Sequence, residues 1–352
     1  MSVPGNTALL FIYQSYLNST NMKKLILTIW VVAVGLAAQA QSNELSFSQN
    51  GNGNQASTVF QKGTGNTGSI AVAGNNNSVY FTQQGTANQG TLSTTGNGNA
   101  ATVYTYGNGS EVTITQIGDN NTGYAGSYGD NSQSNLTQKG DNNRGSASSS
   151  GDNSQSIVAQ TGNSNLGYAS SYYGNSQSSV AQTGDNNRGY ASSYSGSQSS
   201  LTQIGNTNIG LAYSQYGSQS SLTQTGDNNN GYASSYYGSQ ISITQTGDNN
   251  TGYASSYYDG SENLVSLTQR GNTNTARLLQ WGGSHNTASV LQEGNSNTLT
   301  GLESSSTYYS NYAIQQGDSN VMSVTQNGDG NLLHFGQTGN GNSATIMQGP
   351  LN

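Results

Sequence analysis

The sequence predicts an all-β chain: a flat two-sheet β-solenoid of strand–turn–strand repeats, about 22 residues per rung, stacked parallel and in register. Three observations carry that prediction. Gln116, Gln138, Gln160 and Gln182 recur every 22 residues, and Gln203, Gln224 and Gln245 continue the row at intervals of 21. Each is followed two residues later by glycine (Gly118, Gly140, Gly162, Gly184, Gly205, Gly226, Gly247), and the residues before it alternate in the strand period of two. The only prolines are Pro4 and Pro350, so nothing between Gln41 and Gly349 removes a backbone donor from a ladder.

One rung can be read element by element. In Ser134-Asn135-Leu136-Thr137-Gln138, the alternation places Ser134, Leu136 and Gln138 on one face and Asn135 and Thr137 on the other. Gly140-Asp141-Asn142-Asn143 is turn chemistry, because glycine accepts positive φ while Asp and Asn bond their own backbone. A second strand follows, written Leu166-Gly167-Tyr168-Ala169-Ser170-Ser171-Tyr172 in the next rung, and Gly174-Asn175 closes the unit. The half-repeat is therefore near 11 residues, and no window sustains a helical period.

Apolar and small positions mark the inside. Leu136, Val158, Val180, Leu201, Leu222, Ile243 and Leu267 form one aliphatic row. Opposite lie the rows Gly145, Gly167, Gly189, Gly210, Gly231, Gly252 and Ala147, Ala169, Ala191, Ala212, Ala233, Ala254. Large against small gives a thin interior closed by two sheets. Such a core is lean, and the repeated amides supply the rest. Stacked in register, each Gln or Asn side chain can donate to its copy one rung away and accept from the copy on the other side. The residues assigned to this self-assembly ladder are Gln49, Gln116, Gln138, Gln160, Gln182, Gln203, Gln224, Gln245, Gln269, Gln280, Gln292, Gln326, Gln337 and Gln348, with Asn143, Asn165, Asn187, Asn274, Asn286 and Asn342. Outside, Tyr124, Tyr168, Tyr190, Tyr232 and Tyr253 make one surface row, and Tyr128, Tyr172, Tyr194, Tyr236 and Tyr257 a second.

Along the chain, residues 1–21 read as an upstream extension, since Met22-Lys23-Lys24 opens a complete export signal of its own. The signal peptide is 22–40: Leu25 to Leu36 is apolar apart from Thr28 and Gly35, too short for the roughly 20 residues of a membrane span, and Ala38-Gln39-Ala40 has the form of a cleavage site. Residues 41–115 hold loose half-repeats, 116–260 uniform Tyr-rich repeats, and 261–352 a third flavour of repeat with an irregular segment at 298–314.

Six basic residues remain beyond the leader against fifteen acidic ones, which excludes the basic stripe nucleic acid requires. His285 and His334 stand far apart and cysteine is absent, so no metal site is expected. No Gly-x-Ser-x-Gly elbow or recurring acid pair is present, and neither catalysis nor a cofactor is expected. The Gly-Asp-Asn turns lack the nonapeptide spacing of calcium-binding β-rolls.

Gln269, Gly271, Asn274, Ala276 and Gln280 fit the pattern Gln-x-Gly-x(2)-Asn-x-Ala-x(3)-Gln position for position, as do Gln337, Gly339, Asn342, Ala344 and Gln348. In this the chain resembles the curlins, the secreted subunits of bacterial curli fibres. In the central block Gly167 stands where alanine is expected after Asn165, Ala169 follows two residues later, and the closing Gln is lost. The resemblance implies an extracellular amyloid fibre subunit for cell adhesion and biofilm matrix. It implies as partners further copies of the chain, a related curlin subunit and a dedicated outer-membrane secretion pore. The alternative reading is an ice-binding β-solenoid, with the hydroxyls of Ser200-x-Thr202, Ser221-x-Thr223 and Ser242-x-Thr244 and the tyrosine rows as flat arrays.

Overall fold

A computed structural model describes residues 42–257, 261–301 and 312–349, together with the backbone of 11–12. The leader 22–40, most of the upstream extension 1–21, and Pro350 lie outside the described residues. Every element is a β-strand, and successive strands alternate between two sheets, each parallel. The chain divides into two compact units at Ser164 and Asn165.

In the first unit one sheet holds Glu44–Asn50, Thr67–Ala73, Gln89–Thr95, Glu111–Ile117, Gln133–Lys139 and Gln155–Thr161. The other holds Gln55–Thr64, Ser78–Thr86, Ala100–Asn108, Thr122–Ser127 and Arg144–Ser149. Register follows the repeat: Leu136 lies between Ile114 and Val158, and Gln138 between Gln116 and Gln160. One irregularity, a bulge between Ala56 and Thr58, marks the loose N-terminal repeats. Phe11–Ile12 runs parallel beside Ser46 and Phe47.

The second unit repeats the plan from Gln177–Thr183 to Ser343–Gln348 in one sheet, and from Leu166–Tyr172 to Leu332–Thr338 in the other. Leu201 lies between Val180 and Leu222, and Ala212 between Ala191 and Ala233. Of the irregular segment 298–314, Thr298–Gly301 and Ala313–Gln316 are two halves of one strand position. The first pairs with Thr275 and Ala276 before and with Leu332 to Phe335 after; the second pairs with Leu278 to Trp281 before and Gly336 to Thr338 after. The remainder of that segment, 302–311, lies outside the described residues.

The aliphatic row from Leu136 to Leu267 and the alanine row from Ala147 to Ala254 are at most 1% exposed, so the inside is where the alternation places it. The turns explain the glycine after each Gln. Gly140 has φ 107°, and a Cβ there would lie 2.2 Å from the carbonyl oxygen of Gly162 one turn on. Only glycine allows successive turns to approach this closely. Two residues later Asn142 takes φ 58°, a left-handed conformation its short polar side chain tolerates.

Replacing Leu222 by Asp puts a carboxylate into this interior, where desolvation costs several kcal/mol. Hydrogen exchange should show lost protection in Gln198–Ile204, Gln219–Thr225 and Gln240–Thr246, while Ser221→Asp on the exposed face leaves protection intact. Equal protection in both variants would contradict the assignment of inside and outside.

Candidate functional site

Buried glutamines one turn apart are hydrogen-bonded in a series within the chain, and the series has a direction. Where Gln follows Gln, the amide donates Nε2–H to Oε1 of the copy one turn further along: Gln116 to Gln138 at 2.9 Å and Gln138 to Gln160 at 2.9 Å in the first unit. In the second unit Gln182, Gln203, Gln224, Gln245, Gln269, Gln292, Gln326 and Gln348 form an unbroken series at 2.7–2.9 Å. The other amide hydrogen crosses to the facing strand, as from Gln138 to Thr122 O and from Gln203 to Arg188 O, each 3.1 Å. Three of the amide's hydrogen-bonding positions are thus filled without water.

The structure corrects the membership of the row. Gln280 and Gln337 belong to a second column in the other sheet, where Gln280 donates to Gln315 at 3.0 Å and Gln315 to Gln337 at 3.1 Å. Gln61 and Gln83 open that column at the N-terminal end, 2.6 Å apart. Gln49 faces Val72, and Val72 faces Thr94, so it is not continuous with the column that starts at Gln116. The reason is geometric: residues 11 apart fall in opposite sheets, and only residues a full turn apart stack. Where a column begins, its polarity leaves an acceptor over. Oε1 of Gln116 and of Gln280 are buried without a partner, as are the hydroxyls of Thr94 and Thr105 at the interrupted positions.

Each Gln column is coupled to small residues facing it. A Cβ on Gly123 would lie 2.8 Å from Gln116 Nε2, and one on Gly145 2.9 Å from Gln160 Oε1 and 2.4 Å from Leu136 Cδ1. Where the Gln residues are in the other sheet, the glycines change sheet as well. Gly68 then faces Gln61 at 3.0 Å and Gly90 faces Gln83 at 2.9 Å.

Serines replace the second Gln column through the centre, and sequence reasoning missed them. Ser193, Ser214 and Ser235 are fully buried and bond across the interior to Ser178, Ser199 and Ser220 at 2.6–2.7 Å. In the Ser199–Ser214 pair one hydroxyl hydrogen makes the serine–serine bond and the other goes to a backbone carbonyl, Ser192 O from Ser199 or Gln198 O from Ser214, so each pair is also tied to a backbone. The signal was present in the fixed return of serine at these positions, but serine is common on exposed strands and carries little information alone.

The Asn residues make some of the expected amide–amide bonds, as from Asn208 to Asn187 and from Asn274 to Asn250, each 3.1 Å, and add a second task. Asn143 Nδ2 donates to Gly162 O at 2.7 Å, and Asn165 Nδ2 to Gly184 O at 2.7 Å. Asn165 Oδ1 accepts the backbone N–H of Asn187 at 3.0 Å, and Asn274 Nδ2 donates to Gly294 O at 2.8 Å. They tie the backbone of one turn to the next, with amide–amide bonds secondary. Asn286 and Asn342 stand in a separate column in the opposite corner, joined to Asn263 and Asn320. The turn carboxylates likewise serve a neighbour: Asp141 Oδ1 accepts the N–H of Asp119, and Asp248 Oδ1 that of Asp227, each at 2.8 Å. Sequence reasoning had these side chains bonding their own turn.

Outside, the tyrosine rows are real and interrupted. Tyr168 stacks on Tyr190 at 5.3 Å and Tyr172 on Tyr194 at 4.7 Å. In the next turn Leu211 and Gln215 take those places, and Tyr213 stands between the two rows. His334 is exposed beside Thr300, and His285 lies 3.0 Å from Glu262. Among the described residues no cluster of three or more His, Cys, Asp or Glu could hold a metal, and no helix is long and apolar enough to cross a membrane.

Position in the ladder sets the cost of losing an amide. Gln203→Leu strands an N–H of Gln182 and Oε1 of Gln224, whereas Gln116→Leu removes one orphan acceptor while creating another at Gln138. Gln203→Leu should therefore destabilise the monomer by about 1–3 kcal/mol more than Gln116→Leu, read by denaturant titration. Equal losses would show that the amides are not paired as described.

A family model for the curlin associated repeat matches residues 107–140, 239–269, 260–294 and 317–349. The stretch between the first and second matches lies within the part where serine replaces both the second Gln column and its neighbouring Asn column. A search of the curated proteins finds no matching relative. Four matches to that repeat on a parallel two-sheet solenoid support a curlin-family assignment.

Proposed function

We propose that this chain is a secreted structural subunit that self-assembles into curli-like amyloid fibres serving cell adhesion and the biofilm matrix, with no catalytic role. In this reading export removes residues 1–40 and uses a curli-type outer-membrane pore, and a related curlin subunit takes part in assembly. The observation that carries the reading is the character of the outermost described turns. Gln stands at the inner position of both sheets there, Gln49 and Gln61 in the first described turn and Gln348 and Gln337 in the last, although Gln49 is followed by Val72 and Thr94 and the second column is serine through the centre.

Those turns also leave their inner faces only half covered. Leu45, Phe47 and Gln49 at one end, and Ala344, Ile346 and Gln348 at the other, are half-buried, while their counterparts in intervening turns are buried. Phe11–Ile12 occupies part of the first edge, and cleavage after Ala40 would release it. An open strand edge is a template for another chain. The polarity of the second column fits a head-to-tail match, because Gln61 gives its amide hydrogens to Glu44 O and Gln83, which leaves its Oε1 as the acceptor facing backward, while Gln337 accepts from Gln315 and keeps an amide N–H to face forward.

The test is elongation of purified residues 41–352 from preformed seeds. Gln337→Ala with Gln348→Ala should slow elongation by about tenfold or more, corresponding to roughly 1.4 kcal/mol of lost end-to-end pairing. Gln203→Ala with Gln224→Ala should leave the rate per seed end close to wild type. Equal elongation in both double variants would overturn end-to-end templating. A chain that stays monomeric and shows thermal hysteresis would establish the ice-binding alternative instead.

A further inference from the structure

Five phenol rings run in an unbroken line over the outer face of the second unit: Tyr172, Tyr194, Tyr213, Tyr236 and Tyr257. Their successive centroid separations are 4.7, 5.5, 5.6 and 4.7 Å. The two outer contacts join rings one full turn apart, with interplanar angles of 16° and 31°. The two inner contacts, made by Tyr213 from its place between the rows, are tilted by 47° and 46°. The backbone register holds Tyr172 opposite Tyr194, so the rings cannot drift apart without breaking strand pairing. All five are partly exposed to solvent.

We propose that Tyr172–Tyr194 and Tyr236–Tyr257 are sites of oxidative cross-linking, at which a one-electron oxidant converts each stacked pair into dityrosine and staples successive turns covalently. Each phenol gives one electron to the oxidant and its O–H proton to solvent, leaving two phenoxyl radicals with spin at the Cε carbons. A Cε–Cε bond forms between the rings. The hydrogen on each of those carbons then moves to its own oxygen, restoring two phenols. Two equivalents of oxidant are reduced and two protons are released.

The geometry favours these pairs. Their centroid separation is close to that of two rings joined by one carbon–carbon bond, whereas the tilted contacts of Tyr213 are longer. Tyr213 has another use, since a radical formed there can be passed to Tyr194 or Tyr236 by electron exchange. Burial holds the phenols of Tyr194 and Tyr236 above the ordinary tyrosine range, so at neutral pH they stay protonated and the proton leaves with the electron. The inference is independent of fibre formation, because both rings of each pair lie in the same chain.

The experiment uses the monomeric full chain at neutral pH, briefly illuminated with tris(bipyridine)ruthenium(II) and persulfate, followed by digestion and mass spectrometry of linked peptides. Folded protein should give the Tyr172–Tyr194 and Tyr236–Tyr257 links in about tenfold excess over the same chain in guanidinium, because folding raises the local concentration of each partner. Yields should not change on dilution. Tyr194→Phe, which keeps the ring stack but has no O–H, should lose the first link and retain the second. Tyr257→Phe should do the reverse. The same distribution of links in folded and unfolded chains, or survival of a link at Tyr172 on an unchanged partner peptide in Tyr194→Phe, would overturn the proposal.

Discussion

A glutamine amide sealed between two sheets has to find its hydrogen bonds inside, and here identical amides one turn away and a carbonyl of the facing strand provide them. An unpaired buried amide costs about 1–3 kcal/mol, so every turn that places Gln inside constrains the turn before and after it. A one-residue slip in register would send the amides outward and the exposed Thr and Ser inward. The interior has room for this arrangement because glycine or alanine faces each column, as Gly145 faces Gln138 and Gln160. The polar ladder and the small residues opposite it are therefore one requirement expressed at two sequence positions. They account for a solenoid with little aliphatic core.

The centre of the chain and its outer turns meet that requirement differently. Between Thr122 and Tyr257 one column remains Gln while the other is serine, and Ser193, Ser214 and Ser235 of it pair across the interior with a serine of the facing strand. These serine pairs close with a neighbouring backbone carbonyl and need no amide from the next turn. A Gln column is open at both ends. The last turns carry two Gln columns and the middle one, while in the first turns only Gln61 and Gln83 are paired. The orphaned Oε1 of Gln116 and Gln280 mark where one column starts and the other resumes.

Much of this was legible in the sequence. The period, the parallel register and the inner rows from Leu136 to Leu267 followed from spacing and alternation, because a buried row tolerates few residue types. The grouping of Gln280 and Gln337 with Gln203 did not. An 11-residue beat and a 22-residue beat look alike in sequence, and only the alternation of sheets separates them. The task of Asn143 and Asn165 was also hidden, since an amide's partner, side chain or backbone, is set by the approach of the next turn. Tyr213 was invisible as a link between rows because it stands two residues from one expected position and two from the other.

The segment around 298–314 shows how strongly the ladder governs local structure. Thr298–Gly301 and Ala313–Gln316 together rebuild one strand position, and Gln315 still meets Gln280 and Gln337 although the sequence step from Gln280 has grown to 35 residues. Spacing can stretch as long as the amide returns to its column. The measurement that tests this dependence most directly is a double-mutant cycle on Gln203 and Gln224, both changed to Leu singly and together, with unfolding free energy read on the monomer. Paired amides predict a coupling of about 1 kcal/mol or more, the double variant losing less than the two single losses combined, while Gln203 with Gln292 is additive within about 0.5 kcal/mol. Additivity of Gln203 with Gln224 would contradict the account.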